Sequence, residues 1–247
     1  MQKKIEGIII STVDYKESSK IINILTKEEG IIGVIAEGSK NIKSQLRTTT
    51  TVLSYGIFYL NYHNKNLPVV TEVDIIDHFK EIRKDLIKMN YSLFLLELTS
   101  QIYKHDNNNN IYNLLITGLK KINQDYDAEV ITNIIEIKLL DNLGIMPNLS
   151  CCVTCKNKNN IITISSYKGG YLCNHCANDE YIYDLRTIKL IRIFYHIDLN
   201  NISKIDISNK IKNELNLFID DYYERYSGLY LKSKQVLISM TNKISNN

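Results

Sequence analysis

The N-terminal stretch KIEGIIISTVDYKESSKIINILTKEEGIIGVIA, residues 4–36, decides the fold. It contains three runs rich in isoleucine and valine, Lys4–Val13, Ile21–Thr26 and Ile31–Ala36, which are separated by short polar segments. Runs of β-branched residues that are bounded by turn-forming residues are typical of β-strands. The stretch therefore predicts three consecutive strands that are joined by two short turns.

Two further strands complete the predicted N-terminal region, residues 1–79. Thr49–Tyr62 follows a polar loop, and Pro68–Val73 begins with a proline, which is tolerated at a strand start because no N–H is needed there. Five short strands at this spacing predict a small barrel or sandwich. An OB-fold, which is a five-stranded and partly open barrel, fits the strand count. An SH3-like barrel also fits it.

After residue 80 the spacing of the apolar residues changes from that of strands to that of helices. Apolar residues recur every three or four positions from Ile82 onwards, which predicts one long buried helix over 82–102. Four further helices are predicted over 111–122, 128–143, 185–195 and 210–226. The sequence thus predicts an α+β protein with two domains, an OB-fold barrel at 1–79 and a helical domain at 80–247.

The composition is that of a folded globular protein. The chain has 247 residues, of which 44% are hydrophobic and 23% are charged, and its formal net charge is +3. These values exclude a disordered chain, and no apolar run approaches the ~18 residues that span a bilayer. The N-terminal apolar run is too short for a signal peptide, so a cytoplasmic protein is expected. The mild positive charge permits an anionic partner without requiring one.

All five cysteines of the chain lie within residues 151–178. Cys152 and Cys155 form one C-x-x-C pair, and Cys173 and Cys176 form a second. Two residues between ligands let one tight turn direct both sulfurs to a single point, and two such turns supply the four thiolates that structural zinc prefers. The sequence therefore predicts a zinc knuckle whose ion is structural, because four protein ligands leave no open position for a reacting molecule.

Other uses of the cysteine cluster remain open at the level of the sequence. Cys151 could replace Cys152 as a ligand, although its spacing to Cys155 is poorer, and His175 lies inside the second pair. Free buried thiols or redox chemistry are the alternatives to a metal. In a reducing cytoplasm, a cysteine cluster favours a metal site over disulfides.

The most basic segment of the predicted barrel is the loop between its third and fourth strands. Residues 38–50 contain Lys40, Lys43 and Arg47 and no acidic residue. Phosphate contacts use cations and hydroxyl donors, and this loop has both. On an OB-fold, such a loop could follow the backbone of a nucleic acid. A solvated polar loop without a ligand is the alternative interpretation.

Four aromatic residues follow this loop, and each could either stack on bases or fill the barrel core: Tyr55, Phe58, Tyr59 and Tyr62. Neighbouring residues of a strand point to opposite faces of the sheet. At most some of these four rings can therefore be exposed.

None of the common catalytic sequence patterns occurs in the chain. The segment Gly33–Lys40 is a near miss for a phosphate-binding P-loop, because Ser39 stands where a lysine is required. The patterns G-x-S-x-G, H-E-x-x-H and G-x-G-x-x-G are absent from the sequence. We therefore expect that the protein is not an enzyme.

A set of segments is recognisable by its order and spacing along nearly the whole chain. In order these are Glu6–Ile10, Asp14–Lys20, Leu25–Gly30, Gly38–Ser44, Leu143–Pro147, the two C-x-x-C pairs with Gly169 and Gly170 between them, and Leu229–Lys234. Together they resemble the RecO family of bacterial recombination and repair mediators. The resemblance implies an N-terminal OB-fold and a helical domain that contains a four-cysteine zinc finger.

The resemblance also implies a function in DNA repair. Members of this family bind single- and double-stranded DNA and anneal complementary strands. They act with RecR to load RecA onto DNA that is coated by single-stranded-DNA-binding protein. Zinc is the one cofactor implied, and the implied place of action is the nucleoid in the cytoplasm.

On this interpretation, five cations of the barrel are expected to contact DNA. Lys40, Lys43 and Arg47 should bind phosphates, and Lys16 and Lys20 should support them. The alternative is a zinc-containing scaffold for protein interactions that has little affinity for DNA.

Overall fold

The computed structural model describes residues 2–62, 66–104 and 108–245. The chain forms two compact units, unit 1 from Met1–Gln124 with Ser233–Asn247, and unit 2 from Asp125–Lys232. The predicted domains follow the change from strands to helices at residue 79, whereas the units follow packing. The predicted domain boundary therefore stays a prediction.

Five strands of unit 1 close into a barrel: β1 (Gln2–Tyr15), β2 (Ser19–Thr26), β3 (Ile31–Ala36), β4 (Tyr55–Asn61) and β5 (Val69–Asp77). Their order around the barrel is β1-β2-β3-β5-β4. The β3–β5 pair is parallel, and the β1–β2, β2–β3, β1–β4 and β4–β5 pairs are antiparallel. Placing the last strand between the third and fourth is a Greek-key closure, which is that of an OB-like barrel. The predicted fold class, an OB-type barrel followed by helices, is confirmed.

The barrel core is filled by the inward-facing residues of the strands, which are aliphatic apart from one phenylalanine: Ile5, Ile9, Ile22, Ile24, Val34, Ala36, Phe58, Leu60 and Val70. Two glycines, Gly7 and Gly56, face each other where β1 pairs with β4. A Cβ atom on Gly56 would lie 2.5 Å from the backbone oxygen of Asp74. Glycine is therefore needed at this position, because another backbone approaches too closely for any side chain.

The predicted strand Thr49–Tyr62 is wrong in its first half, because β4 begins only at Tyr55. A short helix, α1 (Leu46–Thr49), precedes it, and Leu46 packs against the barrel core. The threonine run favours a strand by local propensity. The packing of Leu46 against the barrel core is a tertiary contact, which the local sequence pattern does not reveal.

The predicted helix over 82–102 is in fact two helices, α2 (Lys80–Lys84) and α3 (Leu86–Tyr103). Asp85 separates them with an extended backbone. Its carboxylate accepts hydrogen bonds from the N–H groups of Ile87 and Lys88 at 2.8 and 3.1 Å. The apolar period continues through this break because Asp85 occupies a polar position of the repeat.

Two more helices belong to unit 1, namely α4 (Asn109–Asn123) and α8 (Lys232–Ser245) from Ser233 onwards. The N–H group and the hydroxyl of Ser233 donate to the carboxylate of Glu97 on α3. The ammonium of Lys234 lies 4.8 Å from the ring centroid of Phe94. These contacts join the last helix to α3.

Unit 2 combines three helices with one hairpin: α5 (Ala128–Asn142), β6 (Ile161–Ser165), β7 (Gly170–Cys173), α6 (Leu185–His196) and α7 (Asn209–Tyr226). A single 3-10 turn, Leu199–Asn201, follows α6. The helices predicted over 111–122, 128–143, 185–195 and 210–226 are confirmed with small differences at their ends. None of the described helices combines the length and the apolarity that crossing a bilayer requires.

Candidate metal centre and nucleic-acid interface

The β6–β7 hairpin and the turn that precedes it bring four cysteines together. Cys173 ends β7, and a tight turn to Cys176 is closed by a hydrogen bond from the N–H of Cys176 to the carbonyl of Cys173, at 2.9 Å. The turn with Cys152 and Cys155 is closed by the N–H of Lys156, which donates to the carbonyl of Cys152 at 2.9 Å. The Sγ atoms of the four cysteines all lie within 4.8 Å of one another.

Backbone hydrogen bonds hold the first of these turns against β7. The N–H of Val153 donates to the carbonyl of Tyr171 at 2.8 Å, and the N–H of Tyr171 donates to the carbonyl of Asn148 at 3.0 Å. A Cβ atom on Gly170 would lie 2.5 Å from that same Asn148 oxygen. This close approach explains why a glycine stands before the second cysteine pair.

Two of the four thiols, those of Cys152 and Cys176, differ in pKa. Burial opposes ionisation of Cys152, but nearby backbone N–H groups, those of Cys155, Cys173 and Thr154, lower its pKa to about 6. A hydrogen bond with Cys155, followed by burial, raises the pKa of Cys176 to about 12. A metal ion that binds here must therefore displace protons from some of the thiols. The cluster has the composition and compactness to hold one metal ion.

The structure selects among the alternative ligands that the sequence left open. In the part of the chain that the structure describes, the metal-ligating cluster includes neither Cys151 nor His175. The Sγ atom of Cys151 instead lies 3.9 Å from Oδ1 of Asn148. Cys151 can therefore serve as a control in substitutions of Cys152, because it is an adjacent cysteine outside the cluster.

Three of the five cations that were predicted to contact DNA lie around the β1–β2 turn. Lys16 is exposed in the turn itself, and Lys20 is the strand partner of Asp14. The N–H of Lys40 donates to the carbonyl of Ser18 at 2.9 Å, which docks the basic loop against this turn. The Lys40 ammonium lies 2.9 Å from a carboxylate oxygen of Asp14.

The other two predicted cations, Lys43 and Arg47, are both exposed. Arg47 lies on α1. No ion pair among the described residues involves either of them. In the basic loop, residues 38–50, Lys43 and Arg47 thus form no ion pair with the residues that the structure describes. Lys40 is already paired with Asp14.

An open groove of about 710 Å³ lies on the outer face of the barrel, and the sequence analysis did not predict it. We refer to it as the main groove. Four of its lining residues are apolar, namely Ile21, Ile35, Leu67 and Val69. The other lining residues are polar or charged: Tyr15, Lys16, Glu37, Asn61, Asn66 and Thr71.

The main groove depends on a contact between residues that are distant in sequence. It forms where β3 meets β5, and Ile35 pairs with Val69 in parallel register. The sequence gives only a weak signal for this groove, because a partly buried isoleucine such as Ile21 cannot be told from a core isoleucine by sequence. This face, together with the loops beside it, is the one with which OB-folds bind oligonucleotides. Lys16 lines the groove, whereas the other four predicted cations lie outside its lining.

The aromatic residues divide between the core and the surface. Tyr55 and Phe58 are buried, and the hydroxyl of Tyr55 donates to the carboxylate of Glu6 at 2.8 Å. Tyr59 and Tyr62 are partly exposed. Tyr62 also packs against the barrel core, so Tyr59 is the ring that a base could reach.

Comparison with known proteins identifies relatives for nearly the whole chain. A family model described as Recombination protein O N terminal matches residues 1–79, and one described as Recombination protein O C terminal matches residues 83–235. The DNA repair protein RecO of Halalkalibacterium halodurans is 36% identical over 96% of this chain and 94% of that protein. The DNA repair protein RecO of Bacillus subtilis is 35% identical over 97% of this chain and 95% of its own length.

Proposed function

The chain belongs to the RecO family of DNA repair proteins, and from this premise we propose that it binds single- and double-stranded DNA and anneals complementary strands. Together with RecR, it would load RecA onto DNA that is coated by single-stranded-DNA-binding protein. The proposed place of action is the nucleoid in the cytoplasm. The proposed function involves no covalent catalysis.

The observation that carries this proposal is the main groove, which Lys16 lines. Its apolar lining residues suit the faces of unpaired bases, and Lys16 in the lining suits a phosphate. Lys43 and Arg47 add exposed positive charge on the loop that follows β3. Since nothing here resembles a helix that reads base edges, the affinity should depend weakly on DNA sequence.

Zinc is the metal proposed for the four cysteines, Cys152, Cys155, Cys173 and Cys176. Zn–S bonds of about 2.3 Å in a tetrahedron place the sulfurs roughly 3.8 Å apart. The Sγ atoms of Cys155 and Cys173 lie 3.6 Å apart, which agrees with such a shell. When bound, the ion would stabilise the finger and, with four thiolate ligands, would take no part in a reaction.

A salt titration of single-strand binding tests the proposal. Each phosphate contact on a single strand contributes about −0.7 to the slope of log K against log salt concentration. The variant with Lys40→Ala, Lys43→Ala and Arg47→Ala should therefore flatten the slope by about 2. The matched control, with Lys158→Ala, Lys189→Ala and Arg192→Ala, removes the same charge from exposed residues of unit 2 and should leave the slope unchanged.

Two outcomes would contradict the proposal that the barrel and its basic loop bind DNA. A slope that changes only in the control variant would place the DNA on unit 2. Failure of the wild-type protein to bind or anneal complementary oligonucleotides at low salt would favour the alternative function, a zinc-containing scaffold for other repair proteins.

A further inference from the structure

A second, smaller groove continues the main groove across the surface of the barrel. It has a volume of about 300 Å³, and Thr71 lines both grooves. Its other walls include Lys4 of β1, Tyr59 of β4 and Glu72 of β5. We refer to it as the side groove.

The strand register shows that the two grooves share one face of the barrel. Lys4 pairs with Tyr59, and Tyr59 pairs with Glu72, so these three side chains form a row across three strands. Asn61, two residues after Tyr59, pairs with Val69, and both line the main groove. On β4, side chains of one face repeat every second residue, so Tyr59 and Asn61 lie on the same face at roughly 7 Å. The register of β5 shifts between the two rows, so that Glu72 and Val69 are three residues apart.

Tyr59 in the side groove is held at one end and covered on one ring face by a flexible cation. Its hydroxyl donates to the carboxylate of Asp74 at 2.7 Å, which fixes the ring. The ammonium of Lys4 lies 5.4 Å from the ring centroid. An anchored ring is a suitable platform for a base, and a displaced Lys4 would be free to meet the adjacent phosphate.

We propose that a single strand bound in the main groove continues past Thr71 into the side groove, where a base stacks on Tyr59 and Lys4 contacts a phosphate. The inference rests on the proposed DNA binding. Glu72 and Asp74 offset the positive charge here, so stacking contributes more than phosphate contact. Bases in a duplex are already stacked on their neighbours, and the site therefore selects unpaired strands.

The chain contains no tryptophan, which allows a direct test of stacking. The variant Tyr59→Trp carries the sole indole of the protein, and its fluorescence should be quenched when oligo(dT) binds. An abasic strand of the same length should bind through its phosphates without this quenching. The control Tyr167→Trp places the indole on unit 2 at a residue that is 72% exposed, and its fluorescence should stay unchanged.

Affinity measurements with the otherwise wild-type chain form the second arm of the test. Tyr59→Leu should weaken oligo(dT) binding by about tenfold, which is within the range for loss of one base–aromatic stack. Tyr59→Phe keeps the ring and should bind within about twofold of wild type, and far-UV circular dichroism checks the fold of both variants.

The outcomes separate this inference from the proposed function. If oligo(dT) binds but Tyr59→Trp is not quenched, or is quenched equally by the abasic strand, the inference is overturned and DNA binding stands. Equal quenching at Tyr167→Trp would also overturn the assignment to the side groove. If no oligonucleotide binds to the wild-type protein, the proposed function itself fails.

Discussion

The cations of the basic loop are not equivalent to one another. The hydrogen bond from Lys40, and then the charge of Lys40, hold the pKa of Asp14 below its ordinary value, so this carboxylate stays ionised. Lys40 must give up this partner before it can contact a phosphate. Lys43 and Arg47 need break no ion pair within the described residues, so they should contact DNA at a smaller cost.

Replacing Asp14 should therefore strengthen DNA binding. Asp14→Asn removes a negative charge beside Lys20 and Lys40, so single-strand affinity at low salt should rise by a few-fold. Asp141→Asn makes the same charge change at an exposed residue of unit 2 and is the control. An unaltered affinity in Asp14→Asn would indicate that Lys40 does not contact DNA.

The two adjacent cysteines, Cys151 and Cys152, should differ sharply in their effect on metal content. Cys152→Ser should lose the ion, and because a structural zinc contributes on the order of 10 kcal/mol of apparent binding free energy, unit 2 should unfold at a lower temperature. Cys151→Ser should retain about one zinc ion per chain, as measured by inductively coupled plasma analysis. Equal metal loss in both variants would argue against the four-cysteine site.

At the scale of residues, the sequence predicted those parts of the site whose residues are close together along the chain. The C-x-x-C spacing predicts that Cys152 lies next to Cys155 and that Cys173 lies next to Cys176, because a tight turn brings the two sulfurs of each pair together. The lining of the main groove could not be predicted in this way. Ile35 and Val69 become neighbours only through the order of strands around the closed barrel.

At the scale of elements, periodicity predicted the existence of helices and strands better than their boundaries. The strands Ile21–Thr26 and Ile31–Ala36 were predicted nearly as the structure has them, because turns with glycine or polar residues bound them. The break at Asp85 was missed because a capping aspartate and a solvent-facing helical aspartate look alike in sequence. The distinction depends on the extended backbone at that residue.

Removing the Asp85 cap should lower the stability of unit 1. Asp85→Ala deprives two N–H groups at the start of α3 of their acceptor, and loss of such a cap costs about 1 kcal/mol. Asp85→Asn keeps an acceptor oxygen and should lose much less in urea unfolding. Equal losses in the two variants would indicate that the charge of Asp85 at the helix N-terminus, rather than the hydrogen bonds, provides the stabilisation.

At the scale of the whole molecule, buried tyrosines are prominent, and the chain has 17 tyrosines in all. Burial, followed by hydrogen bonding to Glu6, raises the pKa of Tyr55 to about 12. Burial first, then nearby carboxylates, raises the pKa of Tyr183 to about 12, and burial does the same for Tyr222. The first of these lies in unit 1 and the others lie in unit 2.

These tyrosines should make the protein sensitive to alkali. A tyrosine whose pKa is raised by folding makes its full contribution to stability below the pKa of the unfolded state, which is near 10. This contribution is lost as the pH rises towards the pKa of the folded state, which is about 12. Each such tyrosine should reduce the free energy of unfolding by about 1.4 kcal/mol per pH unit in that range. Urea unfolding as a function of pH, with absorbance at 295 nm, should show tyrosinate forming together with unfolding, and less steeply in Tyr222→Phe. Titration of all tyrosines near 10 in the folded state would contradict this.

The last helix, α8, joins α3 through Glu97, Ser233 and Lys234, although all of unit 2 separates it from the rest of unit 1 along the chain. On the ribosome, the barrel and its first helices therefore emerge well before the segment that completes their packing. At roughly 5–20 residues per second, synthesis of unit 2 delays this segment by about 5 to 20 seconds. During that time the surface of α3 that α8 will cover is exposed to chaperones and to other nascent chains, and this exposed period is inherent in the order of the sequence.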